Sequence, residues 1–134
     1  MSQQTEEKSN QIEWRPAALD GLLGALAFWC NKGAKISITI SANGMLISGL
    51  LVGYDEYIQH FLSTLKESGV EEIVSAFSQG LEPSPVHGQL PHFIHIKNAR
   101  FFLANGQPID PSSTPVWWRG RIDQIDGFFL GEIP

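Results

Sequence analysis

From Lys35 to Ala42 the chain alternates, with Ile36, Ile38 and Ile40 apolar and Ser37, Thr39 and Ser41 polar. Asn43-Gly44 follows, then a second extended run, Met45–Gly53. Alternation with a period of two marks a half-buried strand, and Asn-Gly tolerates two successive positive φ angles, so a type I′ hairpin is predicted. A two-residue loop fixes the register, pairing Ala42 with Met45, Ile40 with Ile47 and Ile38 with Gly49. Ile36, Ile38, Ile40, Met45, Ile47 and Leu51 then share one face, expected to be core. The other face carries Ser37, Thr39, Ser41 and Ser48, with Leu46 and Leu50 among them. Gly49 sits mid-strand, where it permits a sharp bend or the close approach of another backbone.

On either side the period lengthens to that of a helix. Leu19, Leu22, Leu23, Leu26 and Trp29 or Cys30 lie three and four apart, which predicts an amphipathic helix over 16–32. Pro16 suits its first turn and Gly33 a left-handed C-terminal cap. Tyr54, Tyr57, Ile58, Phe61, Leu62 and Leu65 predict a second helix, ended by Gly69. Ser68 and Glu71 have capping-box spacing, and Val70, Ile73, Val74 and Phe77 continue as a short third helix closed by Gly80. Asp55, Glu56, Glu67, Glu71 and Glu72 read as a solvated helical face.

Residues 80–91 contain three prolines and two glycines and form a loop. His92–Leu103 is a Phe- and Ile-rich strand in which Asn98 marks a bulge, because the apolar parity shifts around it. A second loop covers 104–115. Val116–Ile125 and Phe128–Ile133 flank Asp126-Gly127, a second hairpin signal. The implied pairs are Ile125 with Phe128, Asp123 with Leu130, and Arg121 with Glu132. One face of that hairpin would carry Val116, Trp118, Ile122, Phe129 and Ile133 toward the core.

The order is helix, two strands, two helices, three strands, with every strand connection compatible with antiparallel pairing. The fold class is α+β: a small antiparallel five-stranded barrel or strongly bent sheet, in Sm/SH3-like order. An N-terminal helix precedes it, and a two-helix insertion separates strands two and three. The Sm-like comparison is an analogy of fold and carries no function. At 134 residues the chain holds one domain, 13–134, behind a polar tail at 1–12 expected to be mobile. A chain of this size buries about two-thirds of its surface, enough for a core without disulfides or metal.

A net charge of −5 argues against general nucleic-acid binding, which needs clustered Lys and Arg. One cysteine permits no internal disulfide and suits a reducing, cytoplasmic compartment. The start lacks a basic n-region and an apolar h-region, so it is not read as a secretory signal. The longest apolar stretch, 17–30, is interrupted by Asp20 and too short to span a bilayer, so no membrane is expected.

Candidate chemistry is sparse. His92 and His95 are three apart on a strand and point to opposite faces, His60 and His87 lie elsewhere, and no third ligand has zinc-like spacing, so no metal is expected. Cys30 reads as a buried structural thiol, with no activating base adjacent in sequence. Nucleophile-elbow and phosphate-loop motifs are missing. No catalytic residue and no cofactor is assigned, and the chain is not expected to be an enzyme. The outward face of the last hairpin is more informative. By the register above it presents Trp117, Arg119, Arg121, Asp123, Phe128, Leu130 and Glu132. Trp and Arg are enriched at binding hot spots. Either a helix of the same chain or another molecule covers this surface.

The same stretches carry a family likeness. ISITISANGMLISGLLVGYDEYIQHF (36–61), HFIHIKNARFF (92–102) and WWRGRIDQIDGFFLGEI (117–133) resemble the GvpU family of bacterial gas vesicle accessory proteins, and residues 19–33 are similar as a preceding helix. The sharpest features are Asn43-Gly44, Ser48-Gly49, His92-Phe93-Ile94-His95, Lys97-Asn98, Trp118-Arg119-Gly120 and Asp126-Gly127-Phe128-Phe129-Leu130-Gly131. Their combination, in matching order over roughly three-quarters of the chain, carries the likeness. The sequence stops at Pro134, where the family pattern continues into a polar, Lys/Ser-rich tail.

The resemblance implies a non-enzymatic cytoplasmic protein that associates with gas vesicles and promotes their clustering. Its implied partners are vesicle shell proteins, and clustering implies self-association or a homo-oligomer. Trp117, Arg119, Arg121, Phe128 and Leu130 are the expected partner-binding residues. The alternatives are a small-barrel RNA-binding or regulatory module and, further off, a metal-dependent hydrolase.

Overall fold

A computed structural model describes residues 21–80, 91–110 and 114–134. The expected tail at 1–12, the helix start at Pro16, and most of the loop at 80–91 with His87 lie outside the described residues. Nine elements follow in order: α1 (Gly21–Asn31), β1 (Ile36–Ala42), β2 (Met45–Val52), α2 (Tyr54–Glu67), α3 (Glu71–Gly80), β3 (Phe93–Leu103), β4 (Val116–Arg121), a 3₁₀ turn (Ile122–Gln124) and β5 (Gly127–Leu130). The strands form one antiparallel sheet in the order β4-β3-β2-β1-β5.

The first hairpin has the expected register, Ala42 opposite Met45, Ile40 opposite Ile47 and Ile38 opposite Gly49. Asn43 and Gly44 adopt φ of 54° and 79°, the two positive angles a type I′ turn requires. The bend at Gly49 is also present. The β2–β3 register shifts between Ser48 and Leu50. A Cβ at Gly49 would lie 2.5 Å from Ile96 Cγ2 and 2.7 Å from the Lys97 carbonyl oxygen. Asn98 takes a left-handed φ of 55° directly opposite, which makes it the bulge residue of β3.

Ile38, Ile40, Ile47 and Leu51 are buried on one face with Ile94, Ile96 and Ala99. Leu23, Ala27 and Cys30 of α1 pack onto them. At the end of α1, Asn31 Oδ1 accepts the Tyr54 N–H at 2.8 Å and so caps α2 from a distance. Gly53 lies between, where a Cβ would meet the Cys30 carbonyl oxygen at 2.3 Å. The proposed capping box is not formed: Ser68 closes α2, and its hydroxyl turns back to the Thr64 carbonyl. The break at Gly69, at φ 80°, still separates α2 from α3.

The second hairpin is not formed. Neither Asp126 nor Gly127 has a positive φ. β4 pairs with β3, and β5 pairs with β1 at the far edge of the sheet. The pairs Ile125–Phe128, Asp123–Leu130 and Arg121–Glu132 are therefore overturned. The connection runs from Ile122, whose N–H donates to the His92 carbonyl, to Asp126, whose N–H donates to the Ser41 carbonyl. Four residues reach at most about 14 Å. The outer strands of a flat five-stranded sheet lie roughly 19 Å apart. The sheet must therefore curl strongly for this connection to be made. Ile122 is buried in the core and Ile125 packs against it, which places this apolar pair across the hollow of the curl. The sheet is not closed, because β4 and β5 do not pair.

Two more expectations change with that correction. Phe129 and Val116, expected in the core, are both about half exposed. Thr39 and Ser48, on the polar face, are fully buried. The segment after β5 covers them. The Gly131 N–H donates to the Ser37 carbonyl, Thr39 donates its hydroxyl to the Gly131 carbonyl at 2.8 Å, and Ser48 Oγ accepts the Ile133 N–H at 2.8 Å. Arg100 holds the Ile133 carbonyl from β3.

Candidate functional site

Because successive residues of β4 alternate across the sheet, Trp118 and Gly120 turn to the core, and Trp117, Arg119 and Arg121 turn to the opposite face. That face is where α2 lies. Trp117 stacks on His60 of α2, with centroids 4.3 Å apart and planes at 11°, and Tyr57 sits 6.4 Å away. The Lys97 ammonium lies 5.3 Å from the indole centroid. Lys97 also pairs with Glu56, which pairs with Lys35, tying the first turn of α2 to β3 and to the approach to β1. Of the two covers considered for Trp117, a helix of the same chain is the one present.

Beneath α2, His95 is 4% exposed between Tyr54 and Tyr57, with ring centroids 5.9 and 4.7 Å away. Its Nε2 has no hydrogen-bond partner. Burial, and then the Arg119 charge opposite it on β4, push its pKa down to about 4. His95 is therefore a neutral packing residue at physiological pH. Arg119 stacks its guanidinium 3.9 Å from the Phe93 centroid. Arg121 is exposed and pairs with Asp123.

Phe128 and Leu130 lie on the other face of the sheet, at its other edge, opposite Ile40 and Ile38. Phe128 packs partly into the core, while Leu130 is 63% exposed. The structure thus brings Trp117, Arg119 and Arg121 together and separates them from Phe128 and Leu130. The five do not form the single face expected of a hairpin.

Sequence reasoning missed the outer side of α1. Of the positions expected on its core side, Leu23 and Cys30 do point inward, joined by Ala27, whereas Leu22 and Trp29 are 67% and 60% exposed. The signal was available: GLLGALAFWCN has no charged residue, and a helix apolar on all sides leaves an apolar face wherever the sheet does not cover it.

Cys30 is buried, its thiol directed to the Leu51 carbonyl, and burial raises its pKa to about 11. The thiolate that nucleophilic attack needs is thus suppressed at neutral pH. Among the described residues no three His, Cys, Asp or Glu side chains come together as a metal site. None of their helices is long and apolar enough to cross a membrane.

The family model for gas vesicle protein GvpU-like matches residues 20–133. The chain belongs to the GvpU-like family. Comparison with curated proteins and with solved structures found no match. The family match spans every described strand and helix of this GvpU-like chain, from α1 through β5. Both surfaces described above, the β4 face under α2 and the exposed edge at β5, therefore lie inside the family domain.

Proposed function

We propose that this chain is a non-enzymatic gas vesicle accessory protein, an adaptor that associates with vesicle shells in the cytoplasm and promotes their clustering. The observation that carries this reading is the family match over 20–133. Gathering particles needs more than one contact per adaptor or per adaptor assembly, and linked contacts strengthen one another through effective concentration. The distribution of exposed side chains supports such a role. Arg121 is exposed at the β4 edge, Phe129 and Leu130 at the β5 edge, and Leu22 and Trp29 on α1. These are separate surfaces, so shell contact and self-association need not compete.

Of the five expected contact residues, Arg121 at one edge and Leu130 at the other are the ones a shell protein can reach, because α2 covers Trp117, Arg119 stacks on Phe93 and Phe128 packs partly into the core. Arg121 and Leu130 are the pair to change, because both are exposed and Phe128 contributes to the core. Purified vesicles mixed with the protein are expected to cluster, read as accelerated flotation and increased light scattering. Arg121→Glu combined with Leu130→Ser is expected to abolish clustering with an unchanged circular dichroism spectrum. Full clustering by the folded double variant rejects these contact surfaces.

A further inference from the structure

The arm formed by β5 and the residues after it, 127–134, is anchored far back in the chain. Gly127–Leu130 pair with Ile38–Ser41 of β1. Ser37 holds the Gly131 N–H with its carbonyl and the Glu132 carboxylate with its hydroxyl. Thr39 donates to the Gly131 carbonyl, Ser48 accepts the Ile133 N–H, and Arg100 donates to the Ile133 carbonyl. Phe128 adds its packing against the core. β5 is not paired with β4. The arm therefore depends on β1, β2 and β3, and nothing in these contacts requires those strands to belong to its own chain.

Only the link from β4 ties the arm to its own copy. Ile122 is fixed in the core with its N–H on the His92 carbonyl, and Asp126 is fixed on the Ser41 carbonyl. Asp123 and Gln124 between them are exposed. The 3₁₀ turn they form with Ile122 has no side-chain cap, and Arg121 before it and Ile125 after it are already extended. Four antiparallel pairings separate β4 from β5 in the sheet, so the two strands run in the same sense. Opening the turn therefore carries β4 straight on into β5 with no reversal of the chain. Short hinge loops invite such exchange between copies. The effective concentration of a tethered segment falls toward zero as the span outgrows its linker. This link reaches its own β1 only because the sheet curls, whereas β1 of a second copy sets no such limit.

We propose that 127–134 is an exchange arm through which two copies of this chain dimerise. Each copy lays its arm on β1, β2 and β3 of the other about a two-fold axis, with Asp123–Ile125 opened as the hinge. The occupant of each groove is the segment already seen seated in it, so exchange asks for no surface beyond contacts that are present. The inference does not depend on the vesicle reading.

The test uses the full chain, isotopically labelled and unlabelled copies being unfolded together and refolded at about 1 mM, where docking between copies competes with closure by a short link. Light scattering is expected to show a dimer. Isotope-filtered NMR of that dimer is expected to show NOEs between Phe128 of one copy and Ile40 of the other, positions that face each other in the sheet. Inserting Gly-Ser-Gly-Ser after Gln124 lets the arm close on its own chain and is expected to raise the dimer dissociation constant at least about tenfold, with an unchanged circular dichroism spectrum. Deleting Gln124 shortens the link further and is expected to lower that constant. A wild-type chain that stays monomeric at about 1 mM overturns the proposal. So does a dimer whose Phe128–Ile40 NOEs arise only within one copy, or an insertion variant that dimerises as tightly as the wild type. The wild-type and insertion measurements decide the question even if the deletion variant fails to fold.

Discussion

Gly49 has no room for a side chain, because the Lys97 carbonyl and Ile96 already occupy the position a Cβ would take. Gly49→Ala must push β2 from β3 at the bulge and is expected to cost about 1–3 kcal/mol, the range for overpacking a well-filled core, measured by urea denaturation. His95 gives a pH signature. Its pKa falls from the usual value near 6.5 to about 4 on folding, so the unfolded chain binds the proton more tightly. The stabilisation is fully present above pH 6.5 and is lost as pH falls toward 4, by about 3 kcal/mol in all. Denaturation midpoints measured from pH 7 to pH 4 should follow this slope, and His95→Gln should flatten it. Residue-scale features were legible in sequence where a backbone geometry was chosen locally. Asn43-Gly44 and Asn98 stand where a left-handed backbone is needed, and Gly49 where no side chain fits. Asp126-Gly127 carried the same signal and was misread. The burial of Ile122 and the pairing of β5 with β1 hold that dipeptide in another conformation.

At the scale of elements, α2 is held by its first turn and by an aromatic seam. Asn31 caps it, Glu56 is bound by Lys35 and Lys97, and Tyr57 and His60 sit on Trp117. Trp117→Ala is expected to loosen α2 from the sheet at a cost of about 1–3 kcal/mol, with faster amide exchange along Tyr54–Glu67 than along β1 and β2. If exchange in α2 is unchanged, the seam does not hold the helix. Existence and type of the helices and of the five strands were readable from periodicity, and so was their order, but Ile122–Gln124, expected within a strand, is a 3₁₀ turn, and the last strand ends at Leu130, short of Ile133. The partners of the last two strands were not. Nothing in the local pattern of Val116–Ile133 distinguishes a hairpin from a short crossover between opposite edges. The buried hydroxyls of Thr39 and Ser48 were equally hidden, since the cover that satisfies them is Gly131–Ile133, more than eighty residues away in sequence.

On the scale of the whole molecule, a curled sheet with α1 on one face and α2 on the other leaves surfaces at its edges and on α1. Trp117, Arg119 and Arg121 lie on β4, and Phe128 and Leu130 on β5, the two strands the sequence expected to carry them. The sequence joined them into one patch only because it paired those strands with each other. Separated, they suit an adaptor that touches more than one object. Flotation of isolated gas vesicles through a density step with the purified protein tests this most directly. The expected result is that the protein rises with the vesicles and that they rise as clusters. Vesicles that float dispersed, with the protein left behind in the liquid, would contradict it.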